Sequence, residues 1–192
     1  MEGDLELLAA WRGGDRAAGD ALVRSHFESI CRFFRTKLGD DVEDLIQQTF
    51  LDLVSVRSPV RNLRATLFTI ARRRLFDHLR ARYKHDAESL TSQSVADLGT
   101  SPSSAVARHE RERLLGEAMR RIPLDQQIVL ELAYWEELDG PTIAEILEIS
   151  EHTVRSRLSR AREALRIEIM HLASTPAAGH STMDDFDRRV SI

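Results

Sequence analysis

Residues 139–163 read DGPTIAEILEISEHTVRSRLSRARE, two short amphipathic stretches with a break between them. Asp139 is placed to cap the first, with Pro141 tolerated in its opening turn. Ile143, Ala144 and Leu147 give that stretch an inner face, and Ile149 is placed to fill the gap before the second. Ser150 is placed to cap the second stretch, with Thr153 at the third helical position. Val154, Leu158, Ala161 and Leu165 then recur at i, i+4, i+7 and i+11, one buried stripe of a helix. Two capped helices joined by a tight turn are the outline of a helix-turn-helix. The opposite face of the second helix carries His152, Ser156 and Ser159, flanked by Arg155 and Arg160; Arg157 and Arg162 fall nearer the apolar border. A duplex major groove admits such a helix, with short polar and Arg side chains toward base edges and flanking Arg toward phosphates. A surface helix that is merely basic would explain the charge, but not the two caps, the small Ala144 and the bridging Ile149.

The surrounding chain makes this concentration of arginine more pointed. Its 192 residues carry a formal net charge of −4, so affinity for a polyanion has to come from local patches. Cys31 is the single cysteine, which forbids an intrachain disulfide and suits a reducing compartment. The opening MEGDLELLAAW lacks a basic-then-apolar targeting pattern, and no apolar run approaches the roughly 20 residues of a membrane span. A cytoplasmic protein without membrane insertion, monomeric when free, is expected.

Nearly every periodic stretch has helical spacing, and turn-bounded β-rich runs are missing, so the expected fold is all-α. The segment DAESLTSQSVADLGTSPSSAVA, residues 86–107, has almost no large apolar residues and cannot offset the entropy of ordering. It reads as part of a flexible linker over 85–107 that joins two small helical domains, 1–84 and 108–172, which need not touch. Residues 173–192 are again poor in apolar side chains and read as a disordered tail, although Met183, Phe186 and Val190 allow a short amphipathic helix.

In the first domain, residues 40–54 read DDVEDLIQQTFLDLV. Asp40 or Asp41 is placed to cap a helix, and Val42, Leu45, Ile46, Thr49, Phe50 and Leu53 form its inner stripe. Asp44, Gln47, Gln48 and Leu51 align on the outer face, which by itself reads as a solvated acidic surface. Residues 55–62 form a loop broken by Pro59, leading to a helix with Leu67, Ile70, Ala71, Leu75 and Leu79 as apolar positions. Arg72, Arg73, Arg74, Arg80, Arg82 and Lys84 make its second half a track for a polyanion, opposed only by Asp77. Phe68 and Phe76 suit base stacking or, more simply, core packing.

These motifs carry a resemblance. RRIPLDQQIVLELAYWEELDGPTIAEILEISEHTVRSRLSRAREALR is similar to the carboxyl-terminal DNA-binding domain of bacterial sigma factors of the extracytoplasmic-function type, and EDLIQQTFLDL resembles the sigma helix that docks on core polymerase. The resemblance covers residues 5–84 and 111–168, in the family's order. It implies a transcription initiation factor with core RNA polymerase and promoter DNA as partners and an anti-sigma factor as a further candidate partner. By the same resemblance Glu43, Asp44, Gln47, Gln48 and Leu51 contact the polymerase. Arg61, Asn62, Arg64, Arg72, Arg73 and Arg80 take the downstream (−10) element, and His152, Thr153, Arg155, Ser156, Arg157, Ser159 and Arg160 the upstream (−35) element.

The chain departs from the family pattern at Glu137 and Glu148, where Gly is common, at Gln127 for a phosphate-touching Arg, at Thr66 for Trp and at Arg73 for Asn. A left-handed Glu148 would cost roughly 1–2 kcal/mol more than Gly. Glu136, Glu137, Glu145 and Glu148 also weaken the case for tight upstream binding. The competing readings are a stand-alone helix-turn-helix regulator with an amino-terminal sensing or dimerisation module, and an enzyme holding a cation on Asp40, Asp41, Glu43 and Asp44. For the latter no phosphate-cradling glycine loop or paired metal histidines are found, so no catalytic residue, metal or cofactor is expected.

Overall fold

The computed structural model describes residues 2–83, Ser94 and 110–190. Four helices come first: α1 Glu2–Arg12, α2 Arg16–Leu38, α3 Glu43–Ser55 and α4 Leu63–Tyr83. Five follow: α5 Glu110–Arg121, α6 Leu124–Tyr134, α7 Gly140–Leu147, α8 Glu151–Leu172 and α9 Pro176–Val190. The fold is all-α, and the only β feature among the described residues is a backbone bridge between Ser94 and Pro123. The expected linker, 85–107, otherwise lies outside the described residues.

Helix α1 lies on α2, where Gly19 lets the Trp11 ring approach so closely that a Cβ would sit 2.6 Å from the indole nitrogen. Asp15 starts α2 by accepting from the amides of Ala17 and Ala18 at 2.9 and 3.2 Å. Leu22, Ile30, Phe34, Ile46, Phe50, Leu53, Leu67, Leu75 and Leu79 fill the core between α2, α3 and α4. Phe68 and Phe76 belong to it as well, so core packing accounts for both. The expected acidic cap of α3 is not made: Val42 occupies the cap position, and its amide donates to Glu43 at 3.1 Å. Asp40 and Asp41 lie exposed just before it. Helix α4 begins at Asn62, whose Oδ1 accepts from the Ala65 amide at 3.0 Å.

The second group forms as its caps dictate. Asp139 accepts from the Thr142 amide at 3.0 Å and Ser150 from the Thr153 amide at 3.1 Å. Hydrogen bonding to Thr142 holds the Asp139 carboxyl below its ordinary pKa. Ile143, Ile146 and Leu147 of α7 meet Val154, Ala161, Leu165 and Ile169 of α8 in the core, and Ile149 packs against it from the turn. Each of these Val, Leu and Ile side chains contributes about 1.5–3 kcal/mol when fully buried.

The carboxyl-terminal stretch departs from the expectation of disorder. Helix α9 lies on α5 and α8, burying Met183 and Phe186. The Phe186 ring meets Tyr134 edge-on, with centroids 5.0 Å apart, and Asp187 accepts from Arg162 at 2.7 Å. A short stretch with few apolar residues folds because Tyr134 and Trp135 offer it an aromatic seat. The two groups also meet, α4 against α7 and α2 against α5.

Candidate nucleic-acid and partner interface

The α3 face is the simplest of the three surfaces. Its inner stripe buries Ile46, Thr49, Phe50 and Leu53. That rotation leaves Glu43, Asp44, Gln47, Gln48 and Leu51 all exposed on the outside. Leu51 is 49% exposed, an apolar side chain held in water among acids and amides. Glu43 lies 3.7 Å from Arg35. On the flank Asp52 grips Arg74 through two bonds of 2.6 and 2.7 Å, removing Arg74 from the basic track.

The six downstream residues are not equivalent. Arg61 and Arg80 are exposed, Arg80 lying 3.3 Å from Asp77 one turn away. Arg72 is partly buried over the Phe76 ring, 5.3 Å from its centroid, and burial pushes its pKa below the ordinary value. The other three touch the helix-turn-helix group. Asn62 donates to Thr142 at 3.4 Å, and Arg64 donates to the Glu136 carbonyl at 2.7 Å and carboxylate at 3.1 Å. Arg73 donates to Glu148 at 2.6 Å.

On α8, His152, Arg155, Ser159 and Arg160 are exposed along one face. Thr153 and Ser156 sit deeper, the hydroxyl of Ser156 donating to the Thr153 carbonyl at 3.0 Å. Arg157 is half-buried and lies 3.6 Å from Asp125 of α6, at the border expected for it. Spacing alone could not reveal that pairing.

Comparison with known proteins bears on all three surfaces. Residues 22–85 match the family model for sigma-70 region 2, and residues 112–165 that for sigma-70 region 4. The chain is 30% identical to the ECF RNA polymerase sigma factor SigL of Mycobacterium tuberculosis over 84% of its length and 97% of that protein. It is 31% identical to the ECF RNA polymerase sigma factor SigW of Bacillus subtilis, over 83% of this chain and 92% of that one. The chain belongs to the extracytoplasmic-function sigma factors. It is therefore a transcription initiation factor. A solved structure of CnrH in complex with the cytosolic domain of CnrY shares the fold, with TM-score 0.65 and 22% identity over 89% of this sigma factor and 99% of that chain. No helix among the described residues is long and apolar enough to cross a membrane.

The departures of this sigma factor from its family's pattern have structural counterparts. Glu137 and Glu148 are its two non-glycine residues with left-handed backbone among those described, at φ 51° and 56°. Glu148 caps α7, and Glu137 lies in the turn three residues after α6; at both positions glycine would relieve Cβ strain. Gln127 is 1% exposed and its Oε1 has no partner, so it does not reach a surface where a phosphate could lie.

A set of buried charge pairings in this sigma factor escaped the sequence reading, which named Glu136 only as an acid near the turn. Glu131 and Glu136, 4% and 5% exposed, are buried acids of the second group. Glu131 pairs with Lys37 and accepts from Thr36 at 2.7 Å; Glu136 pairs with Arg32 at 2.5 Å. Lys37 is 1% exposed, and burial lowers its pKa against the opposing pull of Glu131. The run of acids at 136–148 was the only legible signal.

Proposed function

We propose that this sigma factor binds core RNA polymerase through the outer face of α3 and directs it to promoters with the two basic surfaces. The observation that carries the polymerase assignment is the exposed row of Glu43, Asp44, Gln47, Gln48 and Leu51 opposite a fully buried stripe. A Leu exposed amid acids and amides suits an interface with an apolar centre and polar rim. Arg61, Asn62, Arg64, Arg72, Arg73 and Arg80 then take the melted downstream strand, and the α8 face takes the upstream duplex, Arg155 and Arg160 toward base edges. Residues 1–84 and 108–172 act as the two domains, with 85–107 as linker. The polymerase supplies the bond chemistry, in the cytoplasm, and joining two weak DNA contacts on one enzyme raises their effective concentration for each other. A protein that binds the free sigma factor, as an anti-sigma factor does, is a fitting further partner, since CnrH, which shares the fold, was solved in complex with the cytosolic domain of CnrY.

The test is co-purification with core polymerase and promoter-dependent transcription by the pair. Replacing Asp44 and Gln48 with Arg places two positive charges on the outer face of α3 without touching the core. Helicity by circular dichroism should be unchanged and polymerase binding lost. A folded double variant that binds core polymerase at parental strength would show that another face makes the contact.

A further inference from the structure

Three of the six residues assigned to the downstream strand, Asn62, Arg64 and Arg73, are already occupied. Glu136 is gripped by Arg32 at 2.5 Å and by Arg64 at 3.1 Å, while Glu148 holds Arg73 at 2.6 Å. Thr142 takes Asn62 at 3.4 Å. Beneath them Lys37 and Glu131 form a buried ion pair between α2 and α6. Carboxylates thus sit on guanidinium groups in the way that phosphate oxygens would.

We infer that the free chain rests closed, the helix-turn-helix group acting as an internal competitor for the downstream strand. Glu136 and Glu148 are its phosphate mimics, and the Lys37–Glu131 pair is the pin. The inference rests on reading Asn62, Arg64 and Arg73 as strand-binding residues.

The contact is built to separate. Its named bonds are polar or ionic, the character of interfaces between domains that move. A buried ion pair gains little net stability, because both partners recover hydration when parted, yet removing one partner leaves an uncompensated charge. The pin therefore fixes the register of closure without making it permanent. Residues 84–93, between α4 and the Ser94 bridge to Pro123, span on the order of 30 Å if extended, which allows the groups to part without breaking the chain. Closure is also selective. The α3 face and His152, Arg155, Ser159 and Arg160 stay exposed, so polymerase and upstream duplex can engage while the downstream surface is still covered.

The test uses the full chain and two pairs of variants. Glu131→Gln with Glu136→Gln should open it; Glu137→Gln with Glu145→Gln makes the same charge change at two exposed positions of the same group. From the other side, Lys37→Met with Arg32→Ala removes two positive charges and should still open it. Small-angle scattering reads the radius of gyration, and anisotropy reads binding to a labelled single-stranded DNA oligonucleotide of mixed sequence. Apparent affinity scales with the open fraction, so an opened chain should bind roughly tenfold tighter or more. Both opening pairs should expand and gain that affinity, the control pair neither, with circular dichroism unchanged in all. A gain on losing positive charge runs opposite to simple electrostatics and supports the latch. Opening pairs that stay as compact as the parent, or a parent already extended, overturn the inference and leave the DNA assignment standing. Opening pairs that expand yet bind no better than the control overturn both.

Discussion

Glu137 and Glu148 provide a paired measurement of backbone strain. Both are exposed and hold nearly the same left-handed φ, 51° and 56°, Glu137 in the turn after α6 and Glu148 as the carboxyl cap of α7. A side chain there costs roughly 1–2 kcal/mol against glycine, part of which returns because glycine loosens the unfolded chain. Glu137→Gly should therefore raise stability by about 1 kcal/mol. Glu148→Gly gains the same relief but loses the bond to Arg73, whose partners are 63% and 58% exposed. Solvent screening limits such a pair to about 0–1 kcal/mol, so the net gain should be smaller. In a chain of this length 1 kcal/mol moves Tm by roughly 2–4 °C. Urea unfolding can be followed at Trp135 in a Trp11→Phe background, since Trp135 lies in the second group. The midpoint should rise with the slope unchanged. Added salt should narrow the gap between the variants, because it screens the exposed pair that only one of them loses. A lower midpoint for Glu137→Gly would refute the strain argument. A gap that widens with salt would refute the ion-pair account of the difference.

Other outcomes are expected. Arg155→Ala and Arg160→Ala should each cost about 1–3 kcal/mol of upstream binding and relax preference at particular base pairs; Arg157→Ala, which loses its neighbour Asp125, should weaken all sequences alike, as selection on a randomised upstream element would read. Phe186→Ala removes a ring that is 1% exposed and should cost about 3–5 kcal/mol, enough to undock α9 and red-shift Trp135 emission. Truncation after Ala173 should reproduce the red shift, and promoter output at equal protein level then shows whether α9 regulates. Asp139→Ala should cost about 1 kcal/mol at neutral pH. Because hydrogen bonds from Thr142 lower the folded pKa of Asp139 below 3.8, its contribution is complete above that value and lost as pH falls through the lowered one, so parent and variant should converge in acid unfolding.

Much of the site was legible because it depends on local periodicity. The stripe of Ile46, Phe50 and Leu53 can be buried only by turning Asp44, Gln47 and Gln48 outward, and that of Val154, Ala161 and Leu165 only by exposing Arg155 and Ser159. The caps at Asp139 and Ser150 are equally local, a side-chain oxygen reaching an amide three residues on. Even there local signals competed: Asp40 and Asp41 precede α3, yet it is Glu43, its first residue, that accepts from the Val42 amide.

What the sequence by itself determined, then, is which face of each helix meets water, because 3.6 residues per turn is a property of the backbone and needs no partner. Tertiary structure decided what meets those faces. Glu131 and Glu136 look like ordinary surface acids until α6 and the turn after it approach α2 and α4, where Lys37, Arg32 and Arg64 make their burial tolerable. Phe186 lacks a helix-stabilising context of its own and is ordered by Tyr134 and Trp135, about fifty residues earlier in the chain. Charge pairing and aromatic packing act through space between residues far apart in sequence, and no spacing rule along the chain specifies which of them will meet.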